Sequence, residues 1–205
     1  MKTPASWTKG ARELSARDAV LRPLVRRCAA YVAGSRGDAF STLARAIVGQ
    51  QISVKAAQSV WARLIAELGT MTPQALIARD AAQLRGCGLS GQKAAYLLDL
   101  GQRFASGALD PARWSALGDE AVIVELTQVK GIGRWTAEMF LIFHLARPDV
   151  FPVADIGLQR ALAMHYNGGK PLAKTKMEKI GATWAPWRSV GTWYMWRSLD
   201  AADPR

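Results

Sequence analysis

The residues best suited to chemistry in this 205-residue chain lie in one short run, LTQVKGIGRWTAEMF, from Leu126 to Phe140. Gly131 and Gly133 flank a single isoleucine, Ile132, and the run then continues as an amphipathic helix opening near Arg134. Glycine tolerates positive φ and lets another chain approach its backbone, so the pair suits a tight turn between two helices. The helix after such a turn presents unpaired N–H groups and the positive end of its dipole. With Lys130 and Arg134 beside those donors and Thr136 just inside the helix, the expected ligand is a phosphate. The plain alternative is an ordinary helix–helix corner. A second run, RPDVFPVADIGLQRAL from Arg147 to Leu162, ends a Pro-punctuated loop with Asp155 at the mouth of another helix. There the aspartate reads as an N-cap, a role that does not preclude chemistry.

The elements that must position these runs are helical almost throughout. In AFSTLARAIVGQQISVKAAQSVWARLIAEL, Phe40, Leu43, Ile47, Ile52, Ala56, Val60 and Leu64 recur at steps of three to five, marking one face of helices interrupted near Gly49. Further helices are expected in RDAVLRPLVRRCAAYV, TPQALIARD, QKAAYLLDLGQRFAS, DEAVIVELTQV, RWTAEMFLIFHLA, DIGLQRALAMHY and KMEKIGATWAPWRSVGTWYMWRSL. Gly and Pro punctuate the joins, among them Gly34 with Gly37 and Gly86 with Gly88. Nothing alternates as a strand, so the class is all-α. LRGCGLSGQKAAYL loosely echoes the first run, as a turn of small residues leading into a helix.

Composition narrows the function classes. A hydrophobic content of 50% is ample for a core, and a net charge of +11 leaves a cationic surface whose usual partner is a polyanion. Two cysteines without C-x-x-C spacing exclude a zinc site or a four-cysteine cluster. No run approaches the roughly 18 apolar residues of a membrane helix, so the expectation is a cytoplasmic protein without membrane contact. Of the eight tryptophans, Trp61, Trp184 and Trp187 read as core, and both histidines, His144 and His165, as structural or surface residues.

LTQVKGIGRWTAEMF followed by the Pro loop and Asp155 resembles the helix-hairpin-helix of the HhH-GPD superfamily of DNA glycosylases. The tryptophan in GIGRWTA, the segment AIVGQQISVKAA and the ending WAPWRSVGTWYMW are similar to the 3-methyladenine DNA glycosylase II (AlkA) type. The likeness runs from about Ala39 to Trp196 and lacks that type's N-terminal β-rich domain. It implies two helical lobes with an active-site cleft between them: residues 39–147 ending in the hairpin, and residues 1–38 joined to 148–205.

It also implies a monofunctional enzyme that excises alkylated bases from double-stranded DNA. Asp155 takes the position of the catalytic aspartate, and Trp135, Met139 and Trp196 the base pocket, Met139 standing where relatives carry a tyrosine. Gln50 and Gln51 fall where the family fills the gap left by the flipped base; Gln51 matches the wedge best, and a helix cap is its alternative. Lys130, Gly131, Ile132, Gly133, Arg134 and Thr136 form the DNA-binding hairpin. Trp135 replaces the lysine with which bifunctional branches form a Schiff base, so water is the expected nucleophile. No cofactor or catalytic metal is implied, apart from a structural monovalent cation on hairpin carbonyls, and a monomer is expected. The rival readings are a glycosylase for deaminated, oxidised or mismatched bases, and a non-catalytic helix-hairpin-helix module.

Overall fold

The structure, a computed structural model, describes residues 3–31 and 37–202, so Gly34, one of the expected joins, lies outside the described residues. Among these residues there are thirteen helices and no strand. In chain order they are α1 (Ala5–Arg17), α2 (Leu21–Arg27), α3 (Ala39–Gly49), α4 (Val54–Leu68), α5 (Pro73–Ile77), α6 (Ala81–Gly86) and α7 (Gly91–Ala105). There follow α8 (Pro111–Trp114), α9 (Asp119–Thr127), α10 (Arg134–Phe143), α11 (Ile156–Tyr166), α12 (Lys174–Trp184) and α13 (Arg188–Ala202). None is long and apolar enough to cross a membrane.

The chain divides into two compact units, Met1–Gly34 with Leu141–Arg205, and Ser35–Phe140. The second division falls inside α10. The boundaries expected from the sequence, after residues 38 and 147, both lie later in the chain.

In the unit Ser35–Phe140, helix starts are written plainly in the sequence. Asp38, Ser53, Thr72, Asp80 and Ser90 each accept the backbone N–H of the third residue of the helix that follows, and Asp80 with Gln83 completes a capping box. Phe40, Leu43, Ile47, Val60 and Leu64 are buried as the periodicity predicts, whereas Ile52 is 39% exposed and Ala56 is exposed. The helix breaks after Gly49 and restarts at Val54, so Ile52 sits in the turn and the helical phase is reset.

The echo between the two glycine turns is structural. Gly88 and Gly131 take φ of 92° and 81°, the following Leu89 and Ile132 are both buried, and Ser90 and Gly133 each precede a helix. The α6–α7 turn is therefore built like the α9–α10 turn, although only a glycine and an apolar residue are shared at the corner.

The other unit gathers α1, α2, α11, α12 and α13. Helix α1 was not expected, because its buried stripe is only Trp7, Gly10 and Leu14. Gly10 is required there by space: a Cβ would stand 2.9 Å from the Trp187 ring. The long C-terminal helix expected from Lys176 onward is two helices, since Pro186 has no N–H to continue α12. Trp184 is fully buried and Trp187 is 9% exposed, as core residues should be; Trp61, in the other unit, is 8% exposed.

Candidate functional site

The hairpin is built from α9, the residues from Gln128 to Gly133, and α10. The Lys130 N–H donates to Asp99 Oδ2 (2.9 Å) and the Ile132 N–H to the Val129 carbonyl (3.0 Å), which pins the turn from within. Gly131 is required twice over, by its positive φ and by the Tyr96 ring lying where a Cβ would be. Gly133 differs: it is exposed and a Cβ there would meet nothing within 4 Å. Nothing within the fold asks for glycine at that point. Lys130 is exposed beside it.

Two hairpin residues are engaged within the protein. Ile132 is 3% exposed and its N–H is spent on Val129, so its contribution is to anchor the turn in the core. The Arg134 guanidinium is engaged: Nη1 and Nη2 donate to Glu120 Oε1 and Oε2 at 2.8 Å each, and Nε to Glu138 Oε1 at 3.1 Å. The hydrogen bonds with Glu120 push the Arg134 pKa further up and that of Glu120 down. The Arg134 guanidinium is thus already paired within the protein. Trp135 is 49% exposed on the first turn of α10, with Thr136 and Met139 half-buried behind it.

The glutamine pair divides its work. Gln50 Nε2 donates to the Gly131 carbonyl (2.8 Å), tying the end of α3 to the hairpin. Lys93 Nζ donates to the carbonyls of Val48 (2.8 Å) and Gln50 (2.7 Å), a cation capping the C-terminal end of α3. Burial pulls the Lys93 pKa down. No sequence signal marked Lys93 for this role. Just after the residues held by these bonds, the backbone turns at Gln51 through φ of 56°, a region few non-glycine residues enter unless their surroundings impose it. The Gln51 side chain is exposed, with Ile52 and the 75% exposed Val54 beside it.

In the other unit, Asp155 caps α11: its Oδ1 accepts the Leu158 N–H at 2.7 Å. The same oxygen accepts the Trp196 Nε1–H at 2.7 Å, a contact across 41 residues of chain. The loop that delivers Asp155 is fastened to the start of α13. Arg188 donates from Nε and Nη2 to Asp149 Oδ1 and Oδ2 (2.8 and 2.9 Å), its N–H reaches Asp149 Oδ1 (3.1 Å), and the fully buried Ser189 accepts the Val150 N–H (2.8 Å). Gln159 Nε2 holds the Val153 carbonyl (2.9 Å) and Phe151 packs edge-on to Trp184 with ring centroids 5.8 Å apart. Ile156, next to Asp155, is 81% exposed. His165 hydrogen-bonds Ser198 Oγ at 2.8 Å, a structural use. Among the described residues no cluster of His, Cys, Asp or Glu is arranged to hold a metal.

Known proteins share this fold. The chain is 33% identical over 206 residues to DNA-3-methyladenine glycosylase 1 of Schizosaccharomyces pombe, covering 97% of this chain and 90% of that one. The Schizosaccharomyces pombe enzyme solved in complex with abasic DNA superposes with a TM-score of 0.80 at 31% identity, over 96% of this chain and 99% of that one. The crystal structure of a DNA-3-methyladenine glycosidase from Bacillus halodurans gives a TM-score of 0.86 at 32% identity, over 97% and 91%. Against the longer YfjP protein of Bacillus subtilis, 30% identical over 78% of this chain, it spans 59% of that relative's length. Residues 44–186 match the profile described as HhH-GPD superfamily base excision DNA repair protein, and this chain belongs to that superfamily.

Proposed function

We propose that this protein is a monofunctional DNA glycosylase, which hydrolyses the N-glycosidic bond of alkylated bases of the 3-methyladenine and 7-methylguanine class in double-stranded DNA. The observation that carries the reading is the Asp155 carboxylate, fastened by two donors at the mouth of α11 in a chain of this superfamily. It is supported by the names of the relatives above and by the abasic-DNA complex of one of them.

Breaking the bond builds positive charge on the sugar, as in glycoside hydrolysis. A fixed carboxylate offsets that charge and orients or deprotonates the attacking water. An alkylated purine is already cationic and leaves readily, so a dedicated general acid is not needed. The exposed face of Trp135 suits such a cation, with Met139 on the same helix; Trp196, beside Asp155, is a further base contact. Reaching it requires the nucleotide to leave the stack. The exposed, conformationally strained Gln51 is the side chain to fill the gap. Lys130 and the N–H groups around Gly133 dock the backbone phosphate, and the protein acts as a monomer. A structural monovalent cation on hairpin carbonyls belongs to the same proposal.

The test is chromatography of bases released from methylated duplex. Wild type releases 3-methyladenine and 7-methylguanine, and Asp155→Asn releases neither while still binding damaged DNA. Borohydride treatment traps no protein–DNA adduct, and the strand breaks only on added alkali or heat. Near-wild-type release by Asp155→Asn overturns the role of Asp155; a trapped adduct overturns the monofunctional mechanism; release of deaminated or oxidised bases alone overturns the substrate class.

A further inference from the structure

We infer that Trp196 and Gly157 form a positioning device for the reacting carboxylate, with Trp196 acting through its indole N–H rather than through its ring face alone. The inference rests on the reading of Asp155 given above. The Trp196 Nε1–H and the Leu158 N–H, both 2.7 Å away, converge on the same oxygen, Oδ1. Two short donors on one oxygen remove the rotational freedom of the carboxyl group about its Cβ–Cγ bond. The direction in which Oδ2 faces is thereby set before substrate arrives.

The two donors come from independent parts of the fold. Leu158 N belongs to α11 itself, so it moves with Asp155; Trp196 belongs to α13 and refers the carboxylate to a second helix. The indole is itself oriented: its ring stacks on Phe143 with centroids 5.6 Å apart and planes 20° from parallel. One face of Trp196 is therefore used on Phe143 and its N–H edge on Asp155, which limits what the ring can give to a base.

Gly157 completes the device by what it lacks. A Cβ on residue 157 would stand 3.1 Å from Asp155 Oδ1, 3.2 Å from Trp196 Cδ1 and 3.3 Å from Nε1. It would press on both ends of the hydrogen bond at once. The φ of Gly157 lies outside the left-handed region, so its backbone does not call for glycine; the space beneath the Asp155–Trp196 bond does.

The experiment separates positioning from packing and from base stacking. Trp196→Phe keeps a ring against Phe143 and removes the N–H. Single-turnover release of 7-methylguanine from methylated duplex should fall about 10- to 100-fold, while affinity for a duplex bearing a tetrahydrofuran abasic-site analogue stays within about twofold. Gly157→Ala should lower release in the same sense with the same retained affinity. In the free protein, Asp155→Ala should shift the Trp196 indole resonance in a ¹⁵N–¹H spectrum, an arm that needs neither substrate nor a Trp196 variant. Wild-type release by Trp196→Phe, equal losses of release and abasic-site affinity, or an unmoved indole resonance overturns the inference. If wild-type protein releases no base from methylated DNA, the functional reading fails, and the indole resonance still decides whether the device exists.

Discussion

Gln50 and Gly131 are 81 residues apart in the chain and joined by a 2.8 Å hydrogen bond from the Gln50 side-chain amide to the Gly131 carbonyl. The bond makes the strained Gln51 turn and the hairpin parts of one braced surface. Gln50→Ala should therefore lower the unfolding free energy by about 1 kcal/mol and weaken duplex binding several-fold whatever its sequence. Urea unfolding and fluorescence anisotropy would measure the two, and unchanged affinity would show that the brace serves stability alone.

The two hairpin glycines should part company on mutation. Gly131→Ala forces a Cβ into the left-handed region and onto Tyr96, and should destabilise by more than 1 kcal/mol. Gly133→Ala should leave the melting temperature within a degree or two, because nothing in the chain meets its Cβ, and yet weaken DNA binding. Full binding by Gly133→Ala would remove the phosphate from that turn.

Binding to undamaged duplex should fall steeply with salt, each neutralised phosphate adding about 0.9 to the log–log slope. Lys130→Ala should reduce that slope by about 1, whereas Arg134→Ala should reduce it less, since its charge is already matched by Glu120. A larger loss at Arg134 would mean that the ion pair opens on DNA.

Trp135→Ala should lower excision of 7-methylguanine far more than affinity for an abasic-site duplex, which has no base to stack. The loss should correspond to about 1–3 kcal/mol. Equal losses on both would assign Trp135 to the fold.

Burial, with the charge of Arg27 adding to it, holds the His165 pKa below its ordinary value of 6.5. A depressed folded-state pKa contributes stability that is complete above the unfolded value and lost as pH falls through the folded one. Wild type should thus lose stability between pH 7.5 and 5.5, and His165→Gln should lose less over that interval in urea midpoints. Equal pH dependence would exclude His165 as the titrating group.

Much of this protein is local in origin, and what is local the sequence alone determined. The all-α class follows from apolar spacing; the helix starts at Asp38, Ser53, Ser90 and Asp155 follow from a polar side chain one residue before each helix. The hairpin turn follows from a glycine, Gly131, followed by a buried apolar residue, Ile132. These signals span a few residues, and the forces behind them, backbone sterics and hydrogen bonds to near neighbours, do not depend on the rest of the chain. What the tertiary structure decided was partnership. That Arg134 is held by Glu120, that Lys93 caps α3, that Arg188 fastens the loop at Asp149 and that Trp196 reaches Asp155 are pairings across 14 to 45 residues. Sequence places the same residue types at those positions with any number of partners available. Only the packing of helices, which sets which side chains come within 3 Å, selects one, and through that choice Arg134 is paired with Glu120 and the Trp196 indole donates to Asp155.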